Sequence, residues 1–127
     1  LKHINGLRYE NKLWDLITKY PDKSWHWDVL GHNPNITLDM VLLNPNIPWD
    51  WYYVSKNPNI TFDMVQANPT HPWKWAGVSQ NPNVTFDMIQ AHPELPWDWY
   101  EVSKNPNITL DMMLANRNKT WDWYYIS

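Results

Sequence analysis

Thr37-Leu38-Asp39-Met40-Val41-Leu42-Leu43-Asn44-Pro45, followed by Pro48-Trp49-Asp50-Trp51-Tyr52-Tyr53-Val54-Ser55-Lys56-Asn57-Pro58, is one turn of a pattern that runs through the chain. Trp25, Trp49, Trp73, Trp97 and Trp121 lie 24 residues apart, and Trp27, Trp51, Trp75, Trp99 and Trp123 follow two residues later in the same register. Only one of the 11 tryptophans, Trp14, stands outside these series. Asn33-Pro34-Asn35-Ile36-Thr37 returns as Asn57-Pro58-Asn59-Ile60-Thr61, Asn81-Pro82-Asn83-Val84-Thr85 and Asn105-Pro106-Asn107-Ile108-Thr109. A fixed period of about 20–50 residues marks an array of stacked units, each burying its apolar face on the next.

The opening stretch predicts two short helices per unit. Thr37 suits an N-cap, its hydroxyl accepting from an orphan backbone N–H, and Asp39 meets the positive end of the helix dipole. Thr61, Thr85 and Thr109 with Asp63, Asp87 and Asp111 repeat this arrangement. Asn44-Pro45 stops the helix, because the residue before proline is pushed out of the α region. The second segment starts at Pro48, which tolerates the first helical position, and ends before Pro58. Trp49, Trp51 and Tyr53 also alternate as in a strand, and a strand-plus-helix unit would resemble a leucine-rich repeat. Proline at the segment start, Val54 at i+3 from Trp51, and counterparts such as Trp75-Ala76-Gly77-Val78 favour the helix. Helices of about eight residues are too short to stand alone, so stacking must hold them. The fold expected is all-α: an α-solenoid of short helix-turn-helix units with a longer N-terminal helix.

Residues 1–127 are read as a single array. A degenerate N-terminal unit covers 7–20, with its helix from about Leu7 and an apolar face of Tyr9, Leu13, Leu16, Ile17 and Tyr20. Regular units run from about 25 to 127, the last one truncated. The start at Leu1 and the stop in mid-unit lead to the expectation of a segment of a longer array, or a processed or recombinant piece.

The residues expected to form the structural core are Trp25, Trp27, Trp49, Trp51, Trp73, Trp75, Trp97, Trp99, Trp121 and Trp123, with Met40, Met64, Met88 and Met112 and with Val54, Val78 and Val102. Asn33, Asn57, Asn81 and Asn105 either end their helices before proline or form a ladder of side-chain hydrogen bonds between units; the two readings are compatible.

A net charge of −3 gives no basic field for nucleic acid or anionic lipid. Without cysteine there is no disulfide or thiolate metal site. No apolar run approaches the length of a transmembrane helix, and no signal peptide is expected before the first unit. An intracellular place, host cytoplasm or virion, is the expectation. His26, His32, His71 and His92 fall at different unit positions, so they form no repeated metal site. Asp39, Asp63, Asp87 and Asp111 read as helix-start charges rather than catalytic acids. The Asn-x-Thr sequons at Asn35, Asn59, Asn83, Asn107 and Asn118 match a glycosylation acceptor pattern and read, in the four regular cases, as a turn asparagine before a threonine cap. No catalytic residue, metal ligand or cofactor is assigned.

Asn57-Pro58-Asn59-Ile60-Thr61-Phe62-Asp63-Met64, then Pro72-Trp73-Lys74-Trp75 and Val78-Ser79, resembles the tandem NPNIT…PWDW…VS units of tryptophan-rich repeat proteins from giant DNA viruses of the mimivirus type. The resemblance covers roughly residues 13–127. It implies an α-helical viral repeat protein and supplies no catalytic residues. Arg117 and Thr120 depart from it where the unit has prolines, and Lys74 stands where aspartate is usual.

Binding positions are expected among residues that fail to repeat, because a partner is rarely periodic. Tyr52, Tyr53, His71, Lys74, Tyr100, Glu101, Tyr124 and Tyr125 are the candidate partner surface, tyrosines beside mixed charges being typical of protein interfaces. The function expected is a non-enzymatic scaffold or protein-interaction module. The alternatives are a virion component that self-associates, and an aromatic surface for carbohydrate or single-stranded nucleic acid.

Overall fold

The computed structural model describes residues 11–126, and within them every regular element is a helix. In chain order these are α1 (Lys12–Lys19), α2 (Trp27–Leu30), α3 (Leu38–Leu43), α4 (Trp51–Lys56), α5 (Phe62–Ala67), α6 (Trp75–Gln80), α7 (Phe86–Ala91), α8 (Trp99–Val102), α9 (Leu110–Ala115) and α10 (Trp123–Ile126). The strand alternative for the tryptophan segments is thereby excluded. The expected helix start near Leu7, and Tyr9 of its apolar face, lie outside the described residues.

The threonine-led helices α3, α5, α7 and α9 begin where the sequence places them. Thr37, Thr61, Thr85 and Thr109 each have extended backbone and accept a hydrogen bond from the N–H of Met40, Met64, Met88 and Met112. The ends of α3, α5 and α9 are also locked by side chains: the amides of Asn44, Asn68 and Asn116 donate to the carbonyls of Met40, Met64 and Met112.

The tryptophan-led helices start later than expected. Helix α4 begins at Trp51, not Pro48, and Asp50 is its N-cap, accepting from the Tyr52 N–H at 3.0 Å. The physical reason is that Trp49 has another engagement. Its backbone N–H bonds the Ile47 carbonyl and its indole Nε1 donates to the Asn44 carbonyl at 3.1 Å, which holds Pro48-Trp49 out of the helix. Asp98 caps α8 in the same manner through the Glu101 N–H, whereas Lys74 and His26 supply no side-chain cap to α6 and α2.

The tryptophan-led helices pack on one another in series, α2 on α4, α4 on α6 and α6 on α8, with α4 and α6 in the most extensive contact. Gly77 permits that approach. A Cβ at this position would overlap the Tyr52 carbonyl oxygen and lie 2.8 Å from the Ser55 Cβ. Gly77→Ala should therefore destabilise the protein by about 2 kcal/mol, the overpacking cost outweighing alanine's gain of roughly 0.5–1 kcal/mol in helix propensity. A thermal melt would check this; a variant as stable as the parent would mean that α6 can slide off α4.

The core draws on both kinds of helix and on the turns between them. Val54, Val78 and Val102 are fully buried. So are Ile36, Ile60 and Val84, which were not among the expected core residues, and Ile89 and Met113 on the threonine-led helices. The methionines Met40, Met64, Met88 and Met112 are half-buried at the edge of these clusters. In α1 the inward residues are Trp14 and Ile17, while Leu16 and Tyr20 of the expected apolar face are 47% and 44% exposed.

Candidate functional site

What joins one period to the next is a set of side-chain hydrogen bonds. The Asn57 amide donates to the carbonyls of Gly31 (2.8 Å), Asn33 (3.1 Å) and Ile36 (2.9 Å). Asn81 reaches Ser55 and Asn57 at 2.8 and 3.1 Å, and Asn105 reaches Ser79, Asn81 and Val84 at 3.0–3.1 Å. Each amide oxygen then accepts from the backbone N–H two residues on, at Asn59, Asn83 and Asn107. These three asparagines are 2% exposed, so each polar atom is buried and satisfied. Of the two readings open for the asparagines, the ladder is present, and it runs from side chain to backbone.

Two further ladders were not foreseen. Asn59, Asn83 and Asn107 each donate to two carbonyls of the preceding period: Pro34 and Ile36, Pro58 and Ile60, Pro82 and Val84. The hydroxyls of Ser55, Ser79 and Ser103 accept from the backbone N–H of Lys74, Asp98 and Asp122. Strict recurrence of both residues was the available signal, but distances of 19–25 residues along the chain hid the partners. The second ladder also bears on the sequons. Asn59, Asn83 and Asn107 use the same amide nitrogen that a glycan would occupy, whereas Asn118 is exposed.

The tryptophans form the apolar counterpart. Trp49, Trp73, Trp97 and Trp121 stand edge to face against Trp27, Trp51, Trp75 and Trp99, with centroids 5.1–5.7 Å apart and planes at 76–89°. Each first-series indole, Trp25 included, donates to the carbonyl five residues earlier. Trp14 belongs to this set after all. It stacks on Trp49 at 6.4 Å across the sequence spacing that separates Phe62 from Trp97 and Phe86 from Trp121. Full burial is reached only at Trp97 and Trp121; Trp25, Trp27, Trp49, Trp51, Trp73, Trp75 and Trp99 are half-buried, and Trp123 is 40% exposed. The expectation of ten core tryptophans is corrected to that extent. An indole wedged between helices this short keeps one edge at the surface.

Four equivalent clefts of about 320–400 Å³ open beside the tryptophan pairs Trp49/Trp51, Trp73/Trp75 and Trp97/Trp99, and beside Trp14 and Trp27. One position of the period lines each: Ile47, His71, Leu95 and Lys119. His71 stacks flat on Trp51 at 5.6 Å, and the Lys119 ammonium sits 4.8 Å above Trp99. The indole faces of Trp51 and Trp99 are thus partly covered.

The candidate partner surface divides in two. Tyr52 and Glu101 are tied into the fold, since Gln80 bridges the Tyr52 hydroxyl (2.9 Å) and the Glu101 carboxylate (2.8 Å), and Lys104 pairs with Glu101 at 3.2 Å. Tyr53 is half-buried against His32 and under the Lys56 ammonium, and His71 lies in its cleft. Lys74, Tyr100, Tyr124 and Tyr125 are exposed. The bond from Tyr100 to the Asp122 carboxylate raises that phenol's pKa, and the pairing with Glu101 raises that of Lys104. A tyrosine hydroxyl, a lysine and two carboxylates thus share one edge of α8.

Asp39, Asp63, Asp87 and Asp111 are exposed first-turn residues and do not converge. Among the described residues no group of three or more His, Asp and Glu side chains is placed to hold a metal, and no helix is long and apolar enough to cross a membrane. No family model, curated protein or solved structure matches the chain.

Proposed function

We propose that the chain is an α-solenoid of 24-residue helix pairs and that it acts as a non-enzymatic scaffold binding a protein partner through the exposed edge of its tryptophan-led helices. The observation carrying this reading is the asparagine ladder. Three successive boundaries use the same amide-to-carbonyl bonds at the same sequence offset, the bonding expected when identical units stack by one repeated operation. With the repeating residues consumed in joining units, the chemistry left to distinguish one surface from another lies at Lys74, Tyr100, Tyr124 and Tyr125, beside the Lys104 ammonium 5.3 Å over the Tyr100 ring. Exposed tyrosines next to mixed charges supply contact area at low entropic cost. The resemblance to giant-virus repeat proteins makes infected cells the place to look.

The test is affinity capture from such cells with the parent chain and with Tyr100→Ala/Lys104→Ala, both verified as folded. A partner enriched by the parent and reduced at least about tenfold by the double variant, roughly a 1.4 kcal/mol loss, supports the reading. Recovery of no specific protein, or recovery indifferent to the substitutions, counts against it. Self-association has its own support in apolar surface: of the ten large exposed hydrophobic residues among the described ones, six lie at or beyond Tyr100.

A further inference from the structure

The two tryptophan series differ in what their indole N–H groups do. Every first-series Nε1, from Trp25 to Trp121, donates to the carbonyl five residues earlier. Trp27, Trp51, Trp75 and Trp99 make no such bond among the described residues, and their N–H groups are not buried. Each of these four indoles stands in the wall of one cleft, together with the proline two residues past the end of α1, α3, α5 or α7. The clefts of Trp27, Trp51 and Trp75 are contiguous: Ile47 lines the first and the second, and His71 lines the second and the third. No lysine, arginine, aspartate or glutamate lines these three.

We propose that the three contiguous clefts form one groove for a proline-rich peptide in the polyproline II conformation, with every third residue of the peptide seated in a cleft. The spacing matches. Helices packed in series lie about 8–10 Å apart, and polyproline II advances about 3.1 Å per residue with three residues per turn, so consecutive turns meet consecutive clefts. The hydrogen bonding matches as well. Polyproline II has no internal hydrogen bonds, which leaves its carbonyls open to an outside donor, and each cleft supplies an indole with an unpaired N–H beside an apolar wall. Aromatic-lined grooves take proline-rich segments because little ordering entropy remains to be lost on binding. Uncharged walls suit an uncharged occupant. A saccharide chain would need open indole faces, whereas His71 lies flat on Trp51; a peptide carbonyl needs only the N–H. Ile47 and His71, the two dividers, differ in chemistry and set which side chains the peptide carries between its seated residues. Tyr100 and Lys104 line none of the three clefts, so this groove is a second surface, apart from the edge of α8.

The test is a titration of the 15N-labelled parent chain with decaproline, which at about 31 Å is long enough to cross all three clefts. The Nε1–H resonances of Trp27, Trp51 and Trp75 should shift and saturate with a dissociation constant on the order of 100 µM. Those of the first series, already bonded to carbonyls, should shift far less. Trp51→Phe keeps a ring and removes the N–H; once shown to be folded by circular dichroism, it should bind about tenfold more weakly. If that variant does not fold, the titration of the parent decides alone. The Tyr100→Ala/Lys104→Ala chain should bind decaproline as the parent does. Four results would each overturn the proposal: no indole shift up to about 1 mM peptide, an equal response to a Gly-Ser decapeptide, saturable shifts with chitohexaose but not with decaproline, or a folded Trp51→Phe variant that binds like the parent. None of them touches the scaffold reading, because partner capture through Tyr100 and Lys104 judges that separately.

Discussion

Trp97→Ala should cost about 3–5 kcal/mol of stability, the usual range for removing a large buried aromatic. Trp97 is 7% exposed and is held by three contacts: Phe62, Trp75 and the bond from its indole to the His92 carbonyl at 2.8 Å. Alanine empties a gap between two units whose short helices cannot stand alone, and it strips the His92 carbonyl of a partner. Trp123→Ala is the matched control. It removes the same side-chain volume from the second series at a site with 40% exposure and no ring contact among the described residues, and its cost should stay below about 1 kcal/mol. Urea unfolding of the two variants against the parent gives the comparison. Equal costs would mean that the tryptophans stabilise their own units rather than the boundaries between units.

The second large effect is expected at Asn81. Its amide holds the Ser55 and Asn57 carbonyls, its oxygen holds the Asn83 N–H, and it is 2% exposed. Asn81→Ala leaves the Ser55 carbonyl and the Asn83 N–H without these partners beneath a new cavity. The cost should be about 3 kcal/mol, each stranded buried group contributing roughly 1–3 kcal/mol. Asn81→Asp keeps the shape but turns a donor into an acceptor facing two carbonyls, and should be worse at neutral pH. The introduced carboxyl would have a folded pKa above its unfolded one, because burial and the facing carbonyls disfavour the anion. The variant should therefore be most stable below the unfolded carboxyl pKa of about 4 and lose stability as pH rises through the folded value. Urea midpoints of the aspartate variant at acid and neutral pH, relative to the parent, measure this. A midpoint difference that does not change with pH would show that the amide nitrogen is not the group that matters.

Helix positions were legible in the sequence wherever the signal is local. Thr37 and Asn44 bracket α3 through bonds three and four residues long, so residue type and spacing suffice to read them. The start of α4 was misread for the opposite reason: Pro48 is compatible with a first helical turn, and the contacts of Trp49 with Trp27 and the Asn44 carbonyl hold it out of the helix. Gly77 shows the limit most sharply. It occupies the variable position of Tyr53 and Glu101, where a glycine suits either close packing or helix fraying. It is buried under the Tyr52 carbonyl, because α6 approaches α4 closely there, a choice that only the neighbouring helix makes.

By itself the sequence determined the period, the helical character of both segments and the two tryptophan registers, because these follow from residue type and from contacts within about five positions. The tertiary structure alone decided which carbonyls the Asn57, Asn81 and Asn105 amides would reach, that Asn59 and Ser55 would serve the same boundary, and how deep each indole would lie. Those contacts join residues 19–26 apart. Their partners are chosen by how far and at what angle the packed helices set down on one another, a quantity that no short stretch of sequence contains.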